Sequence, residues 1–587
     1  MPSSYGKEAI LSKVLALALA LVALCGAPLL SQVPDNLFSR GAQGANGVVA
    51  TAKPDSAQVG IDILKAGGNA VDAAVAIGFA QGVLEPNANG LGGGGFMTIK
   101  LVNMKEAVVI DFRETAPAAA KPDMYKFTED GKAQLPVSGP NGPFPAKMAA
   151  TQVGGLASGV PGDVAGLLYA LENYGSKKLT RQQVMQPAID WAAKVPVTAN
   201  LAGAIKDNFD KMKLFPATAQ LYFKDGLPYD IGDVIKNSDL QATLKAIQKD
   251  GAKAFYEGPI AKKIVDEVQA EGGILTLDDL KNYKVQARKP VTGNYRGYTI
   301  ISTPPASSGG THIVQLLNIL ENWDMKSLGQ NTTKSLQLWG EAERLVYADR
   351  AKYMADTDFV KGVPLTGLTS KAYAKELAGL IALDKAMPNP IAPGDPSKYE
   401  SGSTTSFSVM DKAGNMVACT KSINFFFGSG VVIPGTGIVM NNHMDDFVPK
   451  PGSVNSVEPG KRPLSSMSPT LVLDPQGRSF MTLGAAGATR IITAVAQIIS
   501  NVIDHGMPIQ QAISAPRQYR TNTSDYNIEG RIPVSACNGL AALGHKLAFQ
   551  DDYSPSQGVA QGCLYDYAAK ILYAGADPRR DGQGVAY

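Results

Sequence analysis

Thr404 and Thr405 follow a stretch with prolines at 388, 390, 393 and 396 that closes on Ser401-Gly402-Ser403. A threonine hydroxyl attacks a carbonyl once a nearby base takes its proton. Ordinary bases are scarce here, with four histidines among 587 residues and no evident triad. The economical base is the residue's own amine. A cut before Thr404 would free an α-amine with a pKa of about 7.7–8.0, near what base catalysis at neutral pH requires. The plainer alternative is that two β-branched residues simply start a strand. Residues 405–410 and 416–422 read as two strands around Asp411-Lys412-Ala413-Gly414-Asn415, a three-residue hairpin loop with glycine at the left-handed position. If Met410 pairs with Met416, Ser422 falls opposite Thr404, give or take one residue for a bulge, and Asn424 lies just beyond.

A second chemical feature is Gly484-Ala485-Ala486-Gly487-Ala488, which joins a strand to a helix. Unpaired N–H groups at such a junction can hold a developing oxyanion, or the segment is an ordinary turn. The run Gly92–Gly95 lacks the spacing and the strand-to-helix placement of a dinucleotide loop, so it reads as a tight turn.

These residues must be positioned by larger elements. From Gly47 to Pro86 the pattern is strand, helix, helix. Asn69 caps a helix that carries Val71, Ala74, Val75, Gly78 and Phe79 on one face. Two strands follow at Phe96–Val102 and Ala107–Phe112. Residues 160–400 read as mostly helical, with apolar spacing over Leu179–Ala193, Leu240–Ile247, Ile260–Ala270 and Leu336–Tyr353. After the proline-rich linker the period turns strand-like. A hairpin joins Thr470–Leu473 to Ser479–Leu483, and a helix follows with Ile491, Ile492, Val495, Ile498, Ile499 and Val502 on one face. The chain thus divides into a helix-rich first part and a strand-rich last part of 184 residues.

Composition narrows the class. Hydrophobic residues at 45% supply a large core, and 18% charged residues exclude general disorder. A formal charge of +3 leaves no basic excess for a nucleic-acid track. Four cysteines and four histidines exclude a dense disulfide framework or a Cys/His zinc module. Lys7 and Lys13 precede an apolar run from Val14 to Leu24, followed by Cys25-Gly26-Ala27. That is the size of a signal-peptide core and too short to span a bilayer, so residues 1–31 read as an export signal and the mature protein as soluble.

Taken together, the motifs resemble those of the γ-glutamyltransferase (γ-glutamyl transpeptidase) family. They are Leu91–Phe96 (LGGGGF), Asp111-Phe112-Arg113-Glu114, Gly159-Val160-Pro161-Gly162, Pro304–Gly310 (PPASSGG), Thr404-Thr405, Asn441–Phe447 (NNHMDDF), Arg462–Pro469 (RPLSSMSP) and Asp577-Pro578-Arg579. They occur in order from about residue 47 to near the end. The resemblance implies an α+β, four-layer αββα N-terminal-nucleophile hydrolase fold, with two stacked sheets between helical layers. It implies a precursor that cuts itself at Ser403–Thr404 into a large subunit, 32–403, and a small subunit, 404–587. Thr404 would be the nucleophile toward glutathione or another γ-glutamyl donor, with water, amino acids or peptides as acceptors and no cofactor or metal. Thr405 and Ser422 would orient Thr404, and Gly487 and Ala488 would donate to the oxyanion. Arg113, Ser465 and Ser466 would hold the substrate carboxylate, and Asp446 and Asn424 would meet its amine. An ammonium needs acceptors, and a carboxylate suits the guanidinium fork.

Three departures from the family pattern stand out. Ala488 replaces the second glycine of a pair. His443 stands where Gln or Glu is usual near the substrate amine, and Asp445 and Asp446 beside it are expected to raise its proton affinity. The segment between Asp446 and Arg462 lacks a tyrosine-bearing lid insertion, which suggests an open site. Cys419 reads as core, while Cys537 and Cys563 are either bonded or free in an oxidising compartment. Two rival readings remain, a relative that cleaves glutaryl side chains of cephalosporins and an unprocessed, inactive binding protein.

Overall fold

The computed structural model describes residues 40–127, 148–388, 391 and 403–587. The export segment and most of the proline-rich linker lie outside the described residues.

Two seven-stranded antiparallel sheets form the centre. One runs, in spatial order, Gln583–Ala586, Gly47–Thr51, Ser403–Asp411, Met416–Asn424, Gly94–Lys100, Val108–Phe112 and Gln286–Arg288. The other runs Ala42–Gly44, Ile571–Ala576, Val559–Asp566, Ser479–Ala486, Thr470–Leu473, Tyr298–Ser302 and Val291–Tyr295. Their inner faces share a core of Val48, Ala50, Met410, Met416, Ala418, Leu471, Cys563 and Leu572. A helical layer covers each outer face, through Ile77, Leu167 and Ile189 on one side and Ile313, Leu345 and Ile498 on the other. The architecture is the expected αββα stack.

Local sequence explains the elements nearest the nucleophile. The hairpin turns at Gly414, whose φ of +90° favours glycine, and Asp411 and Asn415 bond across the loop. Met410 pairs with Met416, as the period requires. Asn69 caps the helix Ala70–Leu84, accepting from the N–H groups of Val71 and Asp72.

Three expectations are corrected. The helix Ala70–Leu84 is buried all round rather than on one face, because it lies between the nucleophile strand and the helices Pro54–Lys65, Asp163–Tyr174 and Arg181–Ala192. Residues 286–302 hold three strands inside the supposed helical region. The strand from Ser479 continues to Ala486, so Gly484 belongs to the ladder and only 487–489 form the turn before the helix Arg490–Ile503. The part before Thr404 is rich in helices and the part after it in strands, and both sheets interleave strands from either side of Thr404. Cys419, Cys537 and Cys563 are all free and buried, so the 537–563 bond is absent. Cys563 lies between the sheets and Cys537 in a separate cluster with Tyr526.

Candidate active site

Sheet register brings the predicted residues to one end of the molecule. Thr405, Lys421, Gly95 and Phe112 form one row across four neighbouring strands. In alternating antiparallel strands the next row at that end holds Thr404, Ser422, Gly94 and Arg113. Three strand spacings, about 14 Å at the usual separation, lie between the first and last of these. An arginine side chain and a glutamyl chain together can bridge such a gap.

Thr404 sits at an irregularity of the hairpin. Thr405 opposes Lys421 but Ser403 opposes Asn424, so Ser422 and Ile423 together face Thr404. Thr404 is 4% exposed, and its carbonyl accepts a hydrogen bond of 3.0 Å from Arg580 Nη1. The Thr405 hydroxyl accepts from Gln81 Nε2 at 2.6 Å. Ser422 Oγ accepts from the Asn424 N–H at 2.7 Å. Asn424, at φ +75°, donates through its amide to the carbonyl of Asn442 at 3.1 Å, joining the hairpin to the 441–446 loop.

The glycines Gly92–Gly95 have a steric rather than a ligand-binding explanation. A side chain at Gly93 would meet the Ser422 carbonyl at 2.2 Å, and one at Gly95 the Thr420 carbonyl at 2.3 Å. Asn441 then staples its loop to the sheet, donating to the carbonyls of Gly92 and Gly159 and accepting from Gly159 and His443 N–H groups.

Arg113 is fully buried. Its guanidinium pairs with the Asp446 carboxylate, and Nε donates to the Pro463 carbonyl at 3.3 Å. Asp446 keeps 26% of its side chain exposed, so the pair faces the solvent side of the loop through the aspartate. Pro463 ties Arg113 to the segment that carries Ser465 and Ser466. Ser465 Oγ accepts from the Met467 N–H at 3.1 Å, and Ser466 Oγ accepts from Arg350 Nη2 at 3.0 Å. An N–H can only donate, so both hydroxyl oxygens serve as acceptors and both hydroxyl protons remain to be given to an anion.

His443 departs from expectation. It is 1% exposed, and its Nδ1 stands 2.8 Å from Glu114 Oε1. Burial drives its proton affinity well below the ordinary imidazole value, and the Arg113 charge adds to the fall; Asp446 opposes it weakly. The expected rise is therefore reversed. Asp445 turns away to accept from Thr151 Oγ1, and burial pushes its own pKa up to about 7. Burial likewise pushes Glu114 up to about 8, despite Arg113 nearby. Burial thus favours the neutral imidazole at His443 and the protonated carboxyl at Glu114.

Gly487 and Ala488 emerge at the Thr404 end. Ser479 Oγ donates to the carbonyl of Gly414 at the far, loop end of the hairpin at 2.6 Å, and a side chain on Gly484 would strike Ser406 Oγ at 2.2 Å, so the strand runs toward Thr404 as its numbers rise. Gly487 has φ +128° and Ala488 φ +53°, both left-handed values that turn the backbone before the helix. An alanine pays for this conformation where glycine would not.

Sequence reasoning missed Gln81, Glu114, Arg350 and Arg580. Only Glu114 carried a signal, as the neighbour of Arg113. Among the described residues no group of three His, Cys, Asp or Glu side chains could hold a metal ion.

The sequence model described as Gamma-glutamyltranspeptidase matches residues 56–587. A protein of Escherichia coli (strain K12) named glutathione hydrolase proenzyme is 42% identical over 550 residues, covering 91% of this chain and 90% of that one. A protein of the same name from Bacillus subtilis (strain 168) is 39% identical over 560 residues, covering 92% of each. Among solved structures, the cephalosporin acylase from Bacillus halodurans superposes with a TM-score of 0.82 at 29% identity, covering 93% of this chain and 97% of that one.

Proposed function

The chain belongs to the gamma-glutamyltranspeptidase family, and on that premise we propose how its residues divide the work. The protein is an enzyme that acts on γ-glutamyl compounds, a γ-glutamyl hydrolase/transpeptidase of the N-terminal-nucleophile type. The single observation that favours this reading over a bare scaffold is the row placing Thr404 and Arg113 at one end of one sheet, with Asp446 on the arginine.

In maturation, Thr404 Oγ attacks the Ser403 carbonyl carbon and the Thr404 nitrogen leaves with a proton, giving an ester. Water hydrolyses that ester to a Ser403 carboxylate and a Thr404 hydroxyl with a free α-amine. The large subunit then ends at 403 and the small one begins at 404. In turnover the amine takes the hydroxyl proton as Oγ attacks the γ-carbonyl of glutathione or a related donor. The N–H groups of Gly487 and Ala488 receive the oxyanion; one such donor is typically worth ~10²–10³ in rate. The leaving amine takes the proton, and water, an amino acid or a peptide then accepts the acyl group.

Arg113 and the free protons of Ser465 and Ser466 suit the α-carboxylate, while Asp446 and Asn424 suit the α-ammonium. His443 is a neutral neighbour of this pocket. Thr405 and Ser422 hold Thr404 in place. Residues 1–31 direct export, and among the described residues no helix is long and apolar enough to cross a membrane. The glutaryl-cephalosporin alternative draws on the named acylase neighbour, but Asp446, an acceptor for an ammonium that a glutaryl group lacks, argues against it. Intact mass with and without glutathione tests the reading. Two fragments, the smaller gaining a γ-glutamyl group, support it; one uncut chain supports the inactive binding protein instead.

A further inference from the structure

Arg580 gains a role once Thr404 is the nucleophile, as in the function proposed above. Arg580 lies three residues before the strand Gln583–Ala586, whose Gln583 pairs with Thr51, itself opposite Phe407. That register brings Arg580 to the Thr404 end of the sheet, where Nη1 donates to the Thr404 carbonyl at 3.0 Å. The guanidinium lies over the Phe426 ring, 5.4 Å from its centroid. The Phe426 carbonyl is in turn held by Lys211 Nζ at 2.6 Å, so the platform under Arg580 is fixed.

The α-nitrogen of Thr404 is two covalent bonds from that carbonyl carbon. With ordinary bond and hydrogen-bond lengths, the guanidinium is within about 6–7 Å of it. A fixed positive charge at that range disfavours a second positive charge, so it lowers the pKa of an amine. We propose that Arg580 is a positioning residue for the N-terminal nucleophile, holding the Thr404 backbone by its carbonyl and keeping the freed α-amine in its neutral, proton-accepting form at and below neutral pH.

The surrounding charges leave Arg580 able to act this way. Asp581 is paired with Lys53 at 2.6 Å, and Asp577 is shared by Arg517 and Arg579. On the neighbouring strand, Lys421 is taken up by Asp163 and the Gly78 carbonyl. Glu85, at the end of the helix Ala70–Leu84, is the remaining carboxylate facing Arg580, with one oxygen reached by Gln81 at 3.3 Å. It opposes the effect without cancelling it, since the guanidinium and not the carboxylate touches the Thr404 carbonyl.

The test compares kcat/KM against pH for hydrolysis of a γ-glutamyl anilide by wild type, Arg580→Gln, Arg580→Ser and Arg580→Lys. Each preparation is first shown by N-terminal sequencing to be cut before Thr404. The neutral variants should have their acid limb displaced upward by about 0.5–1 pH unit, the scale of one partly screened charge at this distance. Arg580→Lys should return the limb to the wild-type position even if kcat falls. Superimposable acid limbs in matured neutral variants overturn the proposal. So does maturation failing in both neutral variants but not in Arg580→Lys, which would assign the charge to self-cleavage instead. If wild type itself is not cut before Thr404, the nucleophile assignment fails, an outcome separate from either of these.

Discussion

The Arg113 guanidinium and the Asp446 carboxylate neutralise one another across a contact between a strand end and a short helical turn. The two charges have the opposite polarity to the carboxylate and ammonium of a free glutamyl group. A zwitterionic substrate can exchange one ion pair for two without leaving an uncompensated buried charge, which is the costly outcome for groups in this setting.

Replacing Arg113 with lysine tests that geometry. Lysine keeps the charge but cannot reach Pro463 and Asp446 together as the planar fork does. Loss of one charge-assisted hydrogen bond, about 1.5–3 kcal/mol, predicts a fall of roughly 10–100-fold in kcat/KM for a γ-glutamyl anilide. Fragment appearance on a gel should be unaltered. Unchanged kinetics would remove Arg113 from the substrate site.

Maturation gives the second expectation. Purified protein should contain a fragment of 184 residues beginning at Thr404, and Thr404→Ala should stay whole. Edman sequencing that locates the cut elsewhere, or a Thr404→Ala chain that still splits, contradicts the assignment.

Glu114 supplies a pH signature. Its folded pKa of about 8 lies above the ordinary carboxyl value, so the folded state holds a proton that the unfolded state has released. Its contribution to stability is complete below about pH 4 and is lost as pH rises through 8. Glu114→Gln should therefore show a flatter decline of Tm between about pH 5 and 8.5 than wild type. Parallel Tm curves would show that Glu114 is ionised throughout.

Ala488 occupies a left-handed position that costs a residue with a Cβ about 1–2 kcal/mol, partly offset by the greater unfolded freedom of glycine. Ala488→Gly should raise stability by up to about 1 kcal/mol and leave kcat no lower. A drop in Tm would mean that the methyl group packs usefully.

Much of the nucleophile hairpin was legible because a period of two, a glycine loop and one assumed pair fix every later partner. The bulge moved the answer by a single residue. The strands at 291–302 hid because Gly293 interrupts their alternation, and its lack of a side chain admits Val314 of the helix above, which a Cβ would meet at 2.4 Å. His443 was misjudged from its sequence neighbours. The helical turn sends Asp445 to Thr151 and Asp446 to Arg113, leaving the imidazole against a buried carboxyl. Gln81 and Arg580 lie more than 170 residues from the threonines they touch, and only the sheet order brings them there.

The interleaving of strands has a thermodynamic consequence. Ser403–Asp411 lies between Gly47–Thr51 and Met416–Asn424, and the last strand pairs with Gly47–Thr51 again. Before the cut, the two portions find each other as parts of one polymer, so assembly is independent of concentration. Afterwards, unfolding would release two molecules, and refolding would become a second-order encounter that dilution penalises. A single hydrolysed peptide bond would thus turn a reversible folder into a protein that persists because it rarely opens. Its melting should depend on concentration and scan rate, where that of an uncut Thr404→Ala chain should not.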